Sequence, residues 1–207
     1  MNAPSLKKFR TDLEFIAEWV KDNAYVLDLG CGSGAWMEYL QATKGCTGYG
    51  VEIDDLKIPP CIRRGVNVIQ HDLEQGLPYF QNDTFDTVFC LLALQMLKNV
   101  EPLMKEIARV GKEAVVSFPN FAYWRNLETL NKDCRMPVSE ELPYEWYNSP
   151  NLRFATMHDF EELADRVGFE ILDRVVLHEG EVVTDNPYRN GSLAVYRLQK
   201  KAAAPIR

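Results

Sequence analysis

Three glycines at alternate positions, Gly30, Gly32 and Gly34, follow the apolar run Tyr25-Val26-Leu27 and the acid Asp28 in the stretch Y-V-L-D-L-G-C-G-S-G. Glycine lacks a Cβ, so such a turn can take positive φ and let a ligand lie against bare backbone. A helix opening behind the turn presents unbonded N–H groups to that ligand. Asp28 sets a carboxylate at the mouth of the same turn. The stretch thus offers donors to an anion and an acceptor to a cation. An amino-acid zwitterion, such as the methionine tail of S-adenosylmethionine (SAM), needs both.

Two further acids close apolar runs. Gly48-Tyr49-Gly50-Val51-Glu52-Ile53-Asp54 reads as a second strand, and Glu52 lies 22 positions after Gly30. That offset belongs to the carboxylate that grips ribose hydroxyls in dinucleotide folds, and one carboxylate can accept from both hydroxyls. Residues 65–72, G-V-N-V-I-Q-H-D, read as a third strand ending in Asp72. Asp72 is placed to accept from an adenine amino group, with the backbone of Leu73 beside it. Glu74 competes but sits further into the loop. The glycines alone are ambiguous. Gly30, Gly32 and Gly34 spell G-x-G-x-G, whereas Gly30, Gly32 and Ala35 also fit the dinucleotide fingerprint. A strand-to-helix turn that binds nothing would carry the same glycines. The third acid separates SAM from nicotinamide cofactors. Cys31, Ile53 and Leu91 complete the candidate cofactor-binding set.

The elements that must position these residues follow from periodicity. Leu6, Phe9, Leu13, Ile16 and Val20 make one apolar face of a helix over 6–22, widened by Trp19 and ended by Asn23. A second helix runs from about Ser33 to Thr43. Pro59-Pro60 places the start of a third near Pro59, stopping at Gly65, because proline is tolerated only in a first turn. Thr84–Leu92 reads as a fourth strand, with Asp86 near its start structural. Leu91–Leu97 follows that strand's C-terminal end, where ligands of open α/β sheets sit. Gln95 there either orients a substrate or caps the next helix, 100–110. Glu113–Phe118 is a fifth strand, which leaves Asn120, Phe121, Tyr123 and Trp124 facing either cleft or core. Thr156 and Asp159 form a helix-opening capping pattern with Gly168 as the stop. Strands over 169–178 and 191–199 and a tail over 200–207 close the chain. The order predicts a single α/β domain over 1–207, a doubly wound, mostly parallel sheet.

Residues 132–157 break the alternation. Three prolines and the aromatics Tyr144, Trp146 and Tyr147 exclude a long helix. Loops of this length in compact domains are functional or mobile. With Arg135, Met136 and Arg153 the composition is that of a protein interface or of a lid.

Bulk composition narrows the class. The 207 residues suit one domain, and 46% hydrophobic with 26% charged content is that of a globular protein. A net charge of −7 argues against a broad nucleic-acid or acidic-membrane surface. No apolar run approaches the ~20 residues of a membrane span. Lys7, Lys8 and Arg10 precede no apolar stretch of the signal-peptide kind. Cys31, Cys46, Cys61, Cys90 and Cys134 contain no C-x-x-C and read as reduced thiols of a cytoplasmic protein. His71, His158 and His178 lack metal-ligand spacing, so no metal is expected.

The V-L-D-L-G-C-G-S-G turn with Glu52 and Asp72 resembles class I SAM-dependent methyltransferases. That implies a Rossmann-like, three-layer, seven-stranded sheet in order 3-2-1-4-5-7-6, its last strand antiparallel. It also implies Asp28, Gly30 and Gly32 near the methionine moiety, Glu52 on the ribose and Asp72 by the adenine of SAM or S-adenosylhomocysteine. Closer motifs, among them R-V-G-K-E-A-V-V-S-F-P-N-F, R-M-P-V-S-E-E-L-P-Y-E-W-Y and N-S-P-N-L, resemble the MetW family of methionine biosynthesis. Departures are Pro59-Pro60, in place of an ordinary helix, and L-L-A-L-Q at 91–95 where the family has S-Q-T-L-Q. The resemblance implies an accessory role beside a homoserine O-acyltransferase. Two functions remain: a partner that docks through Arg135, Tyr144, Trp146 and Tyr147, and an enzyme that moves the SAM methyl group. No convincing catalytic base is legible for the second.

Overall fold

The computed structural model describes residues 10–201. Eight strands form one sheet: β1 (Tyr25–Leu29), β2 (Thr47–Glu52), β3 (Val68–Gln70), β4 (Phe85–Leu91), β5 (Gly111–Pro119), β6 (Phe169–His178), β7 (Glu181–Val182) and β8 (Leu193–Lys200). Their order is β3-β2-β1-β4-β5-β8-β6-β7. The first five positions are parallel, and β8 runs antiparallel between β5 and β6. This is the 3-2-1-4-5-7-6 order with one addition, the two-residue β7, which pairs with β6 across a tight hairpin.

Alternation along the strands sorts side chains to two cores. Val26 of β1, Phe89 of β4, Val115 of β5 and Val195 of β8 pack with α1 (Asp12–Trp19) and α2 (Ala35–Lys44). Leu27, Leu29, Val88, Val116 and Tyr196 pack on the other face with α4 (Val100–Val110) and α6 (Met157–Arg166). On α4, Leu103, Met104, Ile107 and Val110 are all within 2% of full burial. Each such side chain contributes about 1.5–3 kcal/mol. The capping box at Thr156 forms: its Oγ1 accepts the Asp159 N–H at 3.2 Å, and Asp159 accepts in return from Thr156.

Several boundaries differ from the sequence reading. Leu6 and Phe9 lie outside the described residues. α1 ends at Trp19 rather than 22, because Val20 is extended and Asn23, at φ 58°, turns the chain into β1. The second helix starts at Ala35, two residues late, since Gly34 at φ 78° still belongs to the turn. The third strand shortens to three residues because Gly65 at φ 72° forms a turn, and Asp72 caps a short 3-10 segment, Leu73–Gln75. α3 (Ile58–Arg63) accommodates Pro59-Pro60 in its first turn, as expected. Two helices went unread, α5 (Trp124–Asp133) and α7 (Pro187–Asn190). α5 leaves an irregular loop of 134–156 in place of 132–157.

Candidate functional site

Asp28, Glu52 and Asp72 stand at or just beyond the C-terminal ends of the neighbouring strands β1, β2 and β3. Between the first two runs the glycine turn, with φ of 73°, 54° and 78° at Gly30, Gly32 and Gly34. These values demand glycine or strain.

The turn is tied down more fully than the sequence suggests. Gly30 and Cys31 both donate N–H to the Val51 carbonyl, at 2.8 and 3.1 Å, and Gly34 donates to Cys31 O at 2.9 Å. Gly32 donates to Glu52 Oε2 at 2.8 Å. Four N–H groups of the turn are therefore used inside the protein, and the start of α2 behind it, from Ala35, has no side-chain cap. Gly50 on β2 leaves the room for this. A Cβ there would meet Cys31 Sγ at 2.5 Å.

Glu52 is buried, and Oε1 accepts from both Ile53 N and Asp54 N at 2.8 and 2.9 Å. An ionised carboxylate has about four acceptor sites, so one remains. Glu52 thus has one lone pair open to a further donor, with the other three held by the backbone of Gly32, Ile53 and Asp54.

Asp28 is 4% exposed and, among the described residues, forms no side-chain hydrogen bond or ion pair. Burial raises its pKa to about 7, against the pull of the Arg10 guanidinium, and nearby Glu52 pushes the same way. A buried acid with no partner is costly, and an ammonium ligand would relieve it.

Asp72 keeps one oxygen free, since Oδ1 accepts only the Glu74 N–H at 3.0 Å. Glu74 is spent on the β4–α4 connection, where it accepts from Lys98 N and from Asn99 Nδ2 at 2.9 Å. Ile53 is 60% exposed, and Leu73 and Leu91 are partly buried against the two cores. Cys31 Sγ lies 4.0 Å from Cys61 Sγ, and burial raises both thiols, which makes them inert packing groups.

Three other readings resolve. Gln95 does not cap α4, whose N-cap is Asn99. Its Nε2 donates to Leu92 O at 2.8 Å and its buried Oε1 has no partner among the described residues. Asn120 does not face the cleft. It is fully buried, donating to Tyr188 O and Gly191 O at 2.8 and 2.9 Å. Asp86 is structural as read, accepting Tyr25 N at 2.9 Å and pairing with Lys112 at 2.8 Å.

The sequence reading missed a polar cluster at the C-terminal end of β6. His178 contacts Tyr123 Oη at 3.1 Å and Ser192 Oγ at 3.2 Å, and Ser192 donates to Glu141 Oε1 at 2.5 Å. No spacing announces it, because its members come from four separated segments. Beside it, Arg10, Asp12, Leu92, Glu141, Glu179 and Leu193 border a cavity of about 360 Å³. In the 134–156 loop, Trp146 and Tyr147 are 74% and 70% exposed and meet edge to face at 5.8 Å. Tyr144 and Arg135 are exposed as well.

Solved structures share this architecture across nearly the whole chain. A SAM-dependent methyltransferase from Archaeoglobus fulgidus aligns with a TM-score of 0.71 at 17% identity, over 95% of each chain. An S-adenosylmethionine-dependent methyltransferase from Mesorhizobium loti gives 0.71 at 14% identity, over 93% of this chain and 99% of that one. The fold is the Rossmann-like methyltransferase fold. Within it, the model of the family described as methionine biosynthesis protein MetW matches residues 10–197, and the chain belongs to that family. A relative from Rhodopirellula baltica, the bifunctional methionine biosynthesis protein MetXA/MetW, is 33% identical over 211 residues. The match takes in 96% of this chain and 34% of the relative, so the chain spans about a third of that protein's length.

Proposed function

We propose that this protein binds SAM, or S-adenosylhomocysteine, in the crevice of Asp28, Glu52 and Asp72, and acts as a partner of homoserine O-acyltransferase. One observation carries the partnership: in the Rhodopirellula relative a MetW part and a MetXA part share one chain. The docking element is the 134–156 loop. Exposed aromatics at this density are unusual on a surface with no partner, and Trp and Tyr are the residues that dominate interface energy.

In the crevice, Asp28 takes the ammonium of the methionine tail, Glu52 a ribose hydroxyl and Asp72 the adenine amino group. Gly30, Cys31, Gly32 and Gly34 shape the backbone wall, and Ile53, Leu73 and Leu91 flank the adenosyl group. The cofactor, when bound, supplies a sulfonium methyl group, while the chain's own residues bind and orient it. Because SAM derives from methionine, a SAM-dependent change in partner affinity would give feedback. Linkage then makes the partner alter SAM affinity by the same factor.

The test is acylation of homoserine by the acyltransferase with and without this protein, alongside co-purification. Increased turnover and a stable complex support the reading, whereas unchanged turnover with no association overturns it. Methyl transfer is the second reading, favoured by the cavity of about 360 Å³, which has room for a small acceptor. Release of S-adenosylhomocysteine on adding a defined metabolite would support it.

A further inference from the structure

An amino-acid tail brings a carboxylate as well as an ammonium. Asp28 answers the ammonium, but the glycine turn has committed the N–H groups of Gly30, Cys31, Gly32 and Gly34 to Val51, Glu52 and Cys31. With those four taken, the carboxylate is left the first N–H groups of α2 or a side chain, and only a cationic side chain brings it a full opposite charge.

A cation stands on the same face of the sheet. Strand alternation places Asp28 with Val26, Leu91 with Phe89 and Ser117 with Val115, all toward α1, at the C-terminal ends of the adjacent strands β1, β4 and β5. Arg10 lies across these ends. Its Nε donates to Asp12 Oδ1 at 2.9 Å, and its Nη2 donates to Asp12 Oδ2 and, at 3.4 Å, to Ser117 Oγ. Asp12 is 1% exposed, so a buried carboxylate fixes the guanidinium plane. Guanidinium carries five N–H groups. Those on Nη1 have no partner among the described residues. The Arg10 side chain remains 29% exposed and borders the cavity that begins at Leu92, just past β4. Its charge reaches Asp28, where it opposes the effect of burial.

We propose that Arg10 is the carboxylate clamp of this site, its Nη1 N–H groups holding the α-carboxylate of the ligand while Asp28 holds the α-ammonium. The inference rests on the SAM reading above and adds a selectivity: the site discriminates against adenosyl ligands that lack the carboxylate. Asp12 acts through Arg10 as a positioning residue.

The experiment compares SAM with decarboxylated SAM by calorimetry on the full chain. Wild type should prefer SAM by about tenfold or more, the scale of a charge-assisted hydrogen bond. Arg10→Ala should bring the two ligands to within about threefold by weakening SAM alone. Because that change strands Asp12, the double variant Arg10→Ala/Asp12→Asn is measured as well, and should show the same lost preference. A preference that survives in either folded variant overturns the clamp. Equal binding of both ligands to wild type does so too. Failure of wild type to bind either ligand overturns the SAM reading itself, a result distinct from both.

Discussion

Glu52 holds Gly32: the Oε2 of a buried carboxylate at the end of β2 accepts the N–H of the middle glycine of the turn at 2.8 Å. The acid proposed to meet the ribose is therefore also the brace of the turn beneath the methionine tail. Glu52→Gln keeps an oxygen for Ile53 and Asp54 but sets an NH₂ group against the Gly32 N–H. The expected cost is about 1–3 kcal/mol for the unsatisfied donor, a drop of several degrees in thermal midpoint. SAM affinity should fall at least tenfold. Unchanged calorimetric affinity would remove Glu52 from the site.

Asp28 makes both stability and binding depend on pH. Its ordinary value is 3.8 and its folded value is raised to about 7. Between these the folded state holds a proton that the unfolded chain has lost, so stability falls as pH rises from about 4 to 7 and the loss is complete above 7. Asp28→Asn removes this dependence and should be more stable than wild type at pH 8, with the gap narrowing toward pH 5. An ammonium ligand favours the ionised acid. Wild-type SAM affinity should therefore rise up to about tenfold per unit between pH 5 and 7, and that of Asp28→Asn should be weaker and nearly flat. Denaturant titrations and calorimetry across this range check both.

Gly50 tests the close packing behind the turn. A methyl group there meets Cys31 Sγ at 2.5 Å and Cys31 Cβ at 3.0 Å. Gly50→Ala should destabilise by about 1–3 kcal/mol through overpacking and weaken SAM binding by displacing the turn. Gly65→Ala is the control, since nothing stands within 4 Å of its added Cβ, although its φ of 72° carries a backbone cost of its own. It should lose stability without the same loss of SAM affinity.

Trp146→Ala and Tyr147→Ala separate docking from ligand binding. Both side chains are largely exposed, so stability should stay within about 0.5 kcal/mol of wild type. Affinity for the acyltransferase should fall by about 1–2 kcal/mol or more, measured by surface-immobilised binding, with SAM affinity retained. The reverse pattern would make the loop a lid over the crevice.

Much of the architecture is legible in the residues, for particular reasons. Leu103, Ile107 and Val110 repeat at helical spacing, so α4 is read at its observed bounds. Asp28, Glu52 and Asp72 each end a hydrophobic run, and consecutive parallel strands bring run-ends together. α5 is hidden because it buries little: Asn126 is its one buried residue among those described, and Leu127 is exposed. The partners of Glu52 and of Arg10 are hidden for a different reason. They are backbone N–H groups for Glu52 and, for Arg10, the distant Ser117 besides its neighbour Asp12, and no side-chain pattern encodes them. Asn120 misleads because a polar residue at a strand end looks like a ligand group, whereas here it donates to the carbonyls of Tyr188 in α7 and of Gly191 just after it.

The loop over 134–156 is fastened at two places. Near one end Ser192 grips Glu141 and Leu142 is buried, and near the other the Gln95 carbonyl accepts the N–H groups of Leu152 and Arg153 at 2.7 and 3.0 Å. The aromatic arch between these knots, 143–151, is thus a handle with one mount beside Glu141, on the rim of the cavity that Arg10 borders, and the other at Gln95 after β4. A protease that nicks the arch should leave both stubs attached and the sheet intact. A partner bound to the arch would bear on the Gln95 carbonyl, in the connection after β4.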